Sequence, residues 1–375
     1  MARRYAAVAI TRNGIRLALK LGGLLADTEV YCYAKYSGEL EEMPGERRIF
    51  DGPVKELLPA LFSRYEAVIL FFSLGAAVRL MAPLLESKLT DPAVIVIDEG
   101  GQHVISVLSG HLGGANRLTL EIAGLLDSHP VITTASDVQG VFAADLLGRE
   151  FGWRLEDFAP VKGVSAALVN GEPVAVLQEA GETGWLPPGA VLPEHVRLCS
   201  DMAELLQQPL RAAVIITDRL LQPAEAAALS GLPAAVYRPR SLVLGLGCNR
   251  GTEAAELEAA VLATLEELRL SPLSVRGAAT ITIKGDEAGL LELCGKFGWE
   301  LDLYTAEQLN TVPLEQPSAV VFKATGAYGV CEPAAILSAG GGKLLQPKKK
   351  SGNVTIAVAR AAYGGREEQA DERTQ

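Results

Sequence analysis

The chain has 375 residues, 49% of them hydrophobic and 21% charged, enough for two or three domain cores at roughly 150 residues each. Its formal charge of −11 contains no basic region: residues 1–130 carry 13 Lys/Arg against 15 Asp/Glu, and residues 241–360 carry 11 against 13. That excludes an electrostatic nucleic-acid binder, the apolar runs fall short of the ~18 residues of a membrane helix, and five cysteines without a C-x-x-C pair fit reduced thiols in a cytoplasmic protein with no structural zinc.

In chain order, "YAAVAIT" reads as a first strand and not as a signal peptide, because its apolar run is short and carries no cleavage pattern. "NGIRLALKLGGLL" has the spacing of an amphipathic helix, "EVYCY" of a strand, and "GPVKELLPALFSRY" of a helix with Pro53 near its start. "AVILFF" is a buried strand and "SLGAAVRLMAPLLESKL" opens another helix. "AVIVIDEGGQHVISVL" is two strands joined by a hairpin through Glu99, Gly100, Gly101 and Gln102. A glycine-rich turn, "SGHLGGAN", leads from the second of these into a helix over Asn116 to Leu126, with Asn116 as its N-cap, and then "VITTAS". Strands alternating with helices predict an α/β domain, residues 1–136, with its sheet flanked by helices.

Residues 137–240 predict a smaller central α/β domain. Its helices are "GVFAADLLGREFG" and "PVKGVSAALVNG", its strands "PVAVL" and "AAVIIT", and the Pro/Gly-rich "ETGWLPPGAVLPEH" is a loop. "YRPRSLVLGLG" supplies a Pro-Arg linker and a fresh strand, and residues 241–360 form a third α/β domain. The polar tail, 361–375, is expected to be disordered.

Four segments could carry chemistry. In "VISVLSGHLGGANRL" the glycines permit positive φ and close approach to the backbone, and the helix start offers N–H groups to an anion. Ser109, Gly110, Gly113, Gly114 and Asn116 would line a pocket with His111 as a general acid/base; the same pattern also describes a tight turn with a solvent-exposed histidine. "IDEGGQH" adds Asp98, Glu99 and His103; a tight hairpin would bring Glu99 and His103 together as an acid/base set, and the same pattern describes a polar hairpin tip, which is the reading preferred for Asp98. Arg79, one turn into its helix, could clamp a carboxylate or be an ordinary exposed arginine. "LGLGCNRGT" departs from the dinucleotide fingerprint by one residue and has no acidic partner after a second strand, so Gly247 and Arg250 suit an anion-binding turn better. Cys248 reads as a small, partly buried thiol. Lys284, Glu287, Lys323, Thr325 and Glu332, read as lying at strand ends or helix starts, could form a second wall of a cleft. No segment has the spacing of a metal site.

The run from "GAAVRLMAPLL" through "SGHLGGANRLTLEIAGLL" resembles the N-terminal domain of the cobalt-precorrin-5A hydrolases of anaerobic cobalamin biosynthesis. "LVLGLGCNRGT", "ATITIKGDEAGLLELCGKFG" and "FKATGAYGVCEPAAIL" resemble their C-terminal domain. The order of the three domains is similar over nearly the whole chain, with a sparse match in the middle one; "GAAVR" stands where the family more often has Gly–aliphatic–Val–Arg, and Arg79 is kept. The resemblance implies opening of a lactone on a ring-contracted cobalt corrinoid and release of acetaldehyde, giving cobalt-precorrin-5B. No cofactor is implied, because the substrate carries the cobalt. A homodimer and transient handover to neighbouring pathway enzymes fit the same reading, with no nucleic-acid or membrane partner. On that reaction His111 is the first choice of base and His103 or Glu99 the second. The Gly113–Gly114 N–H groups and the helix start would hold the oxyanion. The alternative is a non-catalytic corrinoid carrier, since the C-terminal domain also resembles a stand-alone protein of the aerobic pathway.

Overall fold

A computed structural model describes residues 4–36, 46–87, 90–111, 113–135, 141–186 and 192–363. The chain is an α/β protein with three mixed sheets, and it divides into two compact units, Met1–Leu146 and Leu147–Gln375. The tail expected to be disordered lies outside the described residues from 364 onward. Among the described residues no helix is long and apolar enough to cross a membrane.

The first unit holds strands β1 (Tyr5–Ala9), β2 (Thr28–Tyr33), β3 (Arg48–Phe50), β4 (Ala67–Phe71), β5 (Ala93–Ile97), β6 (His103–Leu108) and β7 (His129–Val131), in the order β3-β2-β1-β4-β5-β6-β7. Every residue of β1, β4 and β5 is buried, which is why these strands read as unbroken apolar runs. Helices α1 (Arg12–Leu24) and α4 (Ala115–Leu126) cover one face through Ile15, Ala18, Leu118 and Ile122. Helices α2 (Val54–Arg64) and α3 (Leu74–Met81) cover the other through Leu58, Leu61, Ala77 and Met81. Strands β1 to β5 are parallel, but β6 returns antiparallel to β5, and β7 runs parallel to β6. The carboxyl end of β6 therefore shares an edge with the amino ends of the parallel strands.

The second unit begins with β8 (Arg154–Leu155), α5 (Val161–Val169), β9 (Val174–Gln178), β10 (Val196–Cys199), α6 (Met202–Leu206), β11 (Ala212–Ile216), α7 (Pro223–Ala228) and β12 (Ala234–Arg238). These strands are ordered β10-β9-β11-β12-β8, with β8 antiparallel at the edge. Next come β13 (Leu242–Cys248), α8 (Ala254–Glu267), β14 (Val275–Ile281), α9 (Ala288–Phe297), β15 (Glu300–Tyr304), α10 (Ala306–Leu309), α11 (Ala319–Thr325), α12 (Cys331–Ser338), β16 (Leu344–Ser351) and β17 (Val354–Arg360). Their sheet order is β15-β14-β13-β17-β16.

Two local expectations are corrected. Among the described residues 141–152, "GVFAADLLGREFG" forms no α-helix but two 3-10 turns, Ala144–Leu146 and Arg149–Phe151, parted by Gly148 at φ +69°. A Cβ on Gly148 would stand 2.0 Å from the Trp153 ring, so this glycine breaks the helical pattern to admit the indole. "AVVFKATG" lies on α11, so Lys323 and Thr325 occupy the last turn of a helix and not a strand end or helix start. Ser318 caps that helix by accepting from the Val321 N–H, Gly326 ends it in the left-handed region, and these caps outweigh the β-propensity of Val320 and Val321.

The Pro-Arg segment between the second and third sheets is packed. Arg238 is 1% exposed, ion-pairs with Glu156 and donates to the Thr217 carbonyl at 3.0 Å. Asp218, also 1% exposed, accepts both arms of Arg360 at 2.7 and 2.8 Å and the Ser241 hydroxyl at 2.8 Å. A buried carboxylate whose partners are removed, or the reverse, is costly. Arg360→Met, which leaves the buried Asp218 carboxylate without its cation, is expected to lower stability by about 3 kcal/mol, read from the urea midpoint, and Asp218→Asn added to it should recover part of the loss by removing the unpaired charge.

Candidate active site

The glycine-rich turn closes on itself. Gly114 N–H donates to the His111 carbonyl at 2.9 Å, Ala115 N–H to Ser109 at 3.2 Å and Asn116 N–H to Gly110 at 3.0 Å. A Cβ on Gly110 would stand 2.7 Å from Asn116 Oδ1, and one on Gly113 2.4 Å from Ser109 Cβ. The glycines at 110 and 113 thus serve the closure of the turn, and Gly114 supplies positive φ (+80°) as the N-cap. One expectation is corrected here. Asn116 is not the N-cap of α4 but its second residue; the N–H groups of Gly114, Ala115 and Asn116 are taken up by the turn's own carbonyls. Ser109 holds φ +55°, a conformation costly for a non-glycine residue, and its hydroxyl donates to the Asp91 carbonyl at 2.9 Å.

What the turn presents is a set of side chains. Buried Asn116 accepts from the Ser106 hydroxyl at 2.6 Å through Oδ1 and donates to Thr134 Oγ1 at 2.9 Å through Nδ2, tying β6 to the segment after β7. His111 lies alongside, its Nδ1 3.2 Å from Asp145 Oδ1, with the two side chains 16% and 17% exposed. Asp145 comes from the 3-10 turn Ala144–Leu146 at the end of the first unit. Ser106, Thr134 and Asp145 were not singled out from the sequence. No spacing pattern connects them with His111, and Asp145 falls in the segment assigned to the central domain.

Glu99 and His103 belong to the opposite edge of the same sheet. The six-residue span of β6 separates the two edges by roughly 17 Å at ~3.3 Å per residue. The hairpin does not pair these two residues. Glu99 accepts from Thr11 Oγ1 at 2.7 Å, whereas Asp98 takes the His103 N–H at 2.5 Å and stands 3.6 Å from its Nδ1. Arg79 is exposed and donates to the Gly75 carbonyl of its own helix at 3.0 Å.

The remaining candidates lie in the second unit. A Cβ on Gly245 would come within 1.7 Å of the Cys331 carbonyl, and one on Gly247 within 2.6 Å of Thr355 Oγ1, so the paired glycines of "LGLG" admit α12 and β17 to strand β13. The following turn already contains an anion. Glu287, 3% exposed, accepts from the Gly251 N–H at 2.6 Å and from Lys284 at 2.9 Å, and lies 3.3 Å from Arg250. Arg250 also forks onto Asp286 at 2.6 and 3.1 Å. The Lys284 ammonium, then the Gly251 N–H, holds the Glu287 carboxyl below the usual carboxylate range. Burial pushes the Cys248 thiol up, away from nucleophilic thiolate. Lys323 is exposed, Thr325 donates to the Val321 carbonyl at 2.8 Å, and Glu332 accepts the Lys348 N–H at 2.8 Å.

Family models match along the chain in three segments: "Cobalamin synthesis G N-terminal" over residues 56–137, "Cobalamin biosynthesis central region" over 142–239 and "Cobalamin synthesis G C-terminus" over 242–359. The chain is 48% identical over 359 residues to the cobalt-precorrin-5A hydrolase of Priestia megaterium, covering 96% of this chain and 95% of that protein. It is 34% identical to the cobalt-precorrin-5A hydrolase of Salmonella typhimurium, over 93% of this chain and 96% of the relative. A 121-residue stretch is 35% identical to Protein CobE of Sinorhizobium sp, covering 32% of this chain and 79% of that protein.

Because Glu287 is a depressed carboxylate, its contribution to stability is present above the unfolded value of about 4.3 and is lost as pH falls through its lower folded value. Urea midpoints should therefore separate the protein from its Glu287→Gln variant at pH 7, with the gap narrowing below about pH 4.

Proposed function

The chain belongs to the CbiG family of cobalamin-biosynthesis proteins, and from that membership we propose that it is a cobalt-precorrin-5A hydrolase acting through His111. The reaction adds water across the lactone of the corrinoid, freeing a carboxylic acid and an alcohol. Loss of the alcohol proton then breaks a carbon–carbon bond, acetaldehyde leaves, and the ring carbon that keeps the electron pair is protonated to give cobalt-precorrin-5B. The substrate brings its own cobalt. The five free cysteines support a cytoplasmic setting.

The observation that carries the assignment to His111 is its placement: a largely buried imidazole beside a carboxylate, in a turn fixed by its own backbone hydrogen bonds. Such an imidazole can take the proton of the attacking water and return it to the departing oxygen near neutral pH. Ser109 and Asn116 stay in this reading as neighbours that shape the turn. Of the N–H groups assigned to the oxyanion, those of Gly114, Ala115 and Asn116 are bonded within the turn. His103 and Glu99 are left out of the acid/base set by their distance along β6, and exposed Arg79 stays in this reading as a clamp for a substrate carboxylate.

Acetaldehyde release from cobalt-precorrin-5A, followed by coupled reduction, tests this reading. His111→Ala should lower kcat by about 10²- to 10⁴-fold, while His103→Ala and Glu99→Gln stay within about threefold, ~0.7 kcal/mol of barrier. Turnover of His111→Ala within threefold of the unaltered protein would remove His111 as the base. Stoichiometric corrinoid binding without acetaldehyde would favour the carrier function instead.

A further inference from the structure

We propose that Asp145 is a positioning residue for the hydrolysis, holding His111 in the tautomer that leaves Nε2 as the basic nitrogen. This rests on the reading of His111 as the base. A neutral imidazole carries its proton on either ring nitrogen, and the nitrogen that bears it cannot accept another. A carboxylate on Nδ1 settles the choice and stabilises the imidazolium that forms once water has been deprotonated.

The geometry meets that requirement. Asp145 Oδ1 is 3.2 Å from His111 Nδ1, within reach of an N–H···O bond, and both groups are more than four-fifths buried, where a carboxylate without a cationic or hydrogen-bonding partner is expensive. The two residues arrive from separate elements, the turn after β6 and the 3-10 turn Ala144–Leu146. Each is fixed locally: His111 by the closed turn, Asp145 by the short 3-10 segment that begins at buried Ala144. The Asn116 bridge between Ser106 and Thr134 braces the same end of β6. Proton flow balances within the pair, since His111 takes one proton from water and gives one back, while Asp145 remains a carboxylate throughout.

Three measurements on the full chain test the role. With 15N-labelled histidine, the His111 signals, identified by their loss in His111→Ala, should show a protonated Nδ1 and an unprotonated Nε2 at neutral pH, and this pattern should collapse in Asp145→Ala. Turnover of Asp145→Asn and Asp145→Ala should fall about 100-fold in kcat with KM within about threefold. Added formate should restore at least tenfold of the loss in Asp145→Ala, which a purely structural defect would not allow. If Asp145→Ala is too unstable to purify, the isosteric Asp145→Asn carries the tautomer and kcat measurements. Unchanged kcat and tautomer in the Asp145 variants, with His111→Ala inactive, would overturn the positioning role and leave the base standing. An active His111→Ala would overturn both. An Nδ1 proton together with unchanged kcat in the Asp145 variants would reduce the pair to a packing contact and equally overturn the proposal.

Discussion

One reversal of chain direction governs how the first unit can work. The hairpin through Glu99 and Gln102 sends β6 back antiparallel to β5, so its carboxyl end emerges where the five parallel strands begin. Because β7 runs parallel to β6, the segment after β7 emerges there too, and Thr134 meets Asn116 across it. Sheets of this class normally present ligands at the carboxyl ends of their parallel strands. Here that edge carries Thr11, Asp98, Glu99 and His103, while His111 and Asp145 face out of the other. Residues eight positions apart in sequence, His103 and His111, are thereby separated by the length of a strand.

Glycine has a different task in each half of the protein from the one its motifs suggest. In the first unit the glycines at 110 and 113 let backbone and side chain of the same turn touch, and the N–H groups of Gly114, Ala115 and Asn116 are used internally. In the second unit Gly245 removes a Cβ that would collide with the Cys331 carbonyl, and the neighbouring turn is charge-balanced by the chain's own Glu287. A glycine pattern between strand and helix reports close approach of something to the backbone. In both places that something is another part of the same chain.

Charge is organised in the same inward manner. Asp218 ties the second sheet to the third through Arg360 and the Ser241 hydroxyl, while Arg238 is held within the second by Glu156 and the Thr217 carbonyl, and the desolvation of the buried Asp218 and Arg238 is offset only by these fixed partners. Such pairs fix relative placement more than they add net stability. Nothing in the "YRPRS" segment marks it as a packed seam, because its residue types are those of an exposed linker; the partners Glu156, Thr217 and Asp218 come from elsewhere in the chain.

The alternation of apolar runs with 3.6-residue periodicity determines by itself that this is an α/β protein, since a strand buried on both faces and a helix buried on one leave unlike patterns. The "SGHLGGAN" and "LGLGCNRGT" segments likewise carry the family in the sequence alone, together with the choice of His111 as the residue to examine. The sequence could not settle the environment of that histidine. Asp145 follows it by a full helix and strand, Glu99 and His103 stand toward the opposite end of β6, and Gly148 admits Trp153 where the "GVFAADLLGREFG" pattern predicts a helix. Local pattern reports which face of an element is buried, and it holds no information on which distant side chain will arrive there. The direction of β6 and the meeting of His111 with Asp145 are decided by how the strands pair and how the turns close, interactions that exist only once the chain has folded.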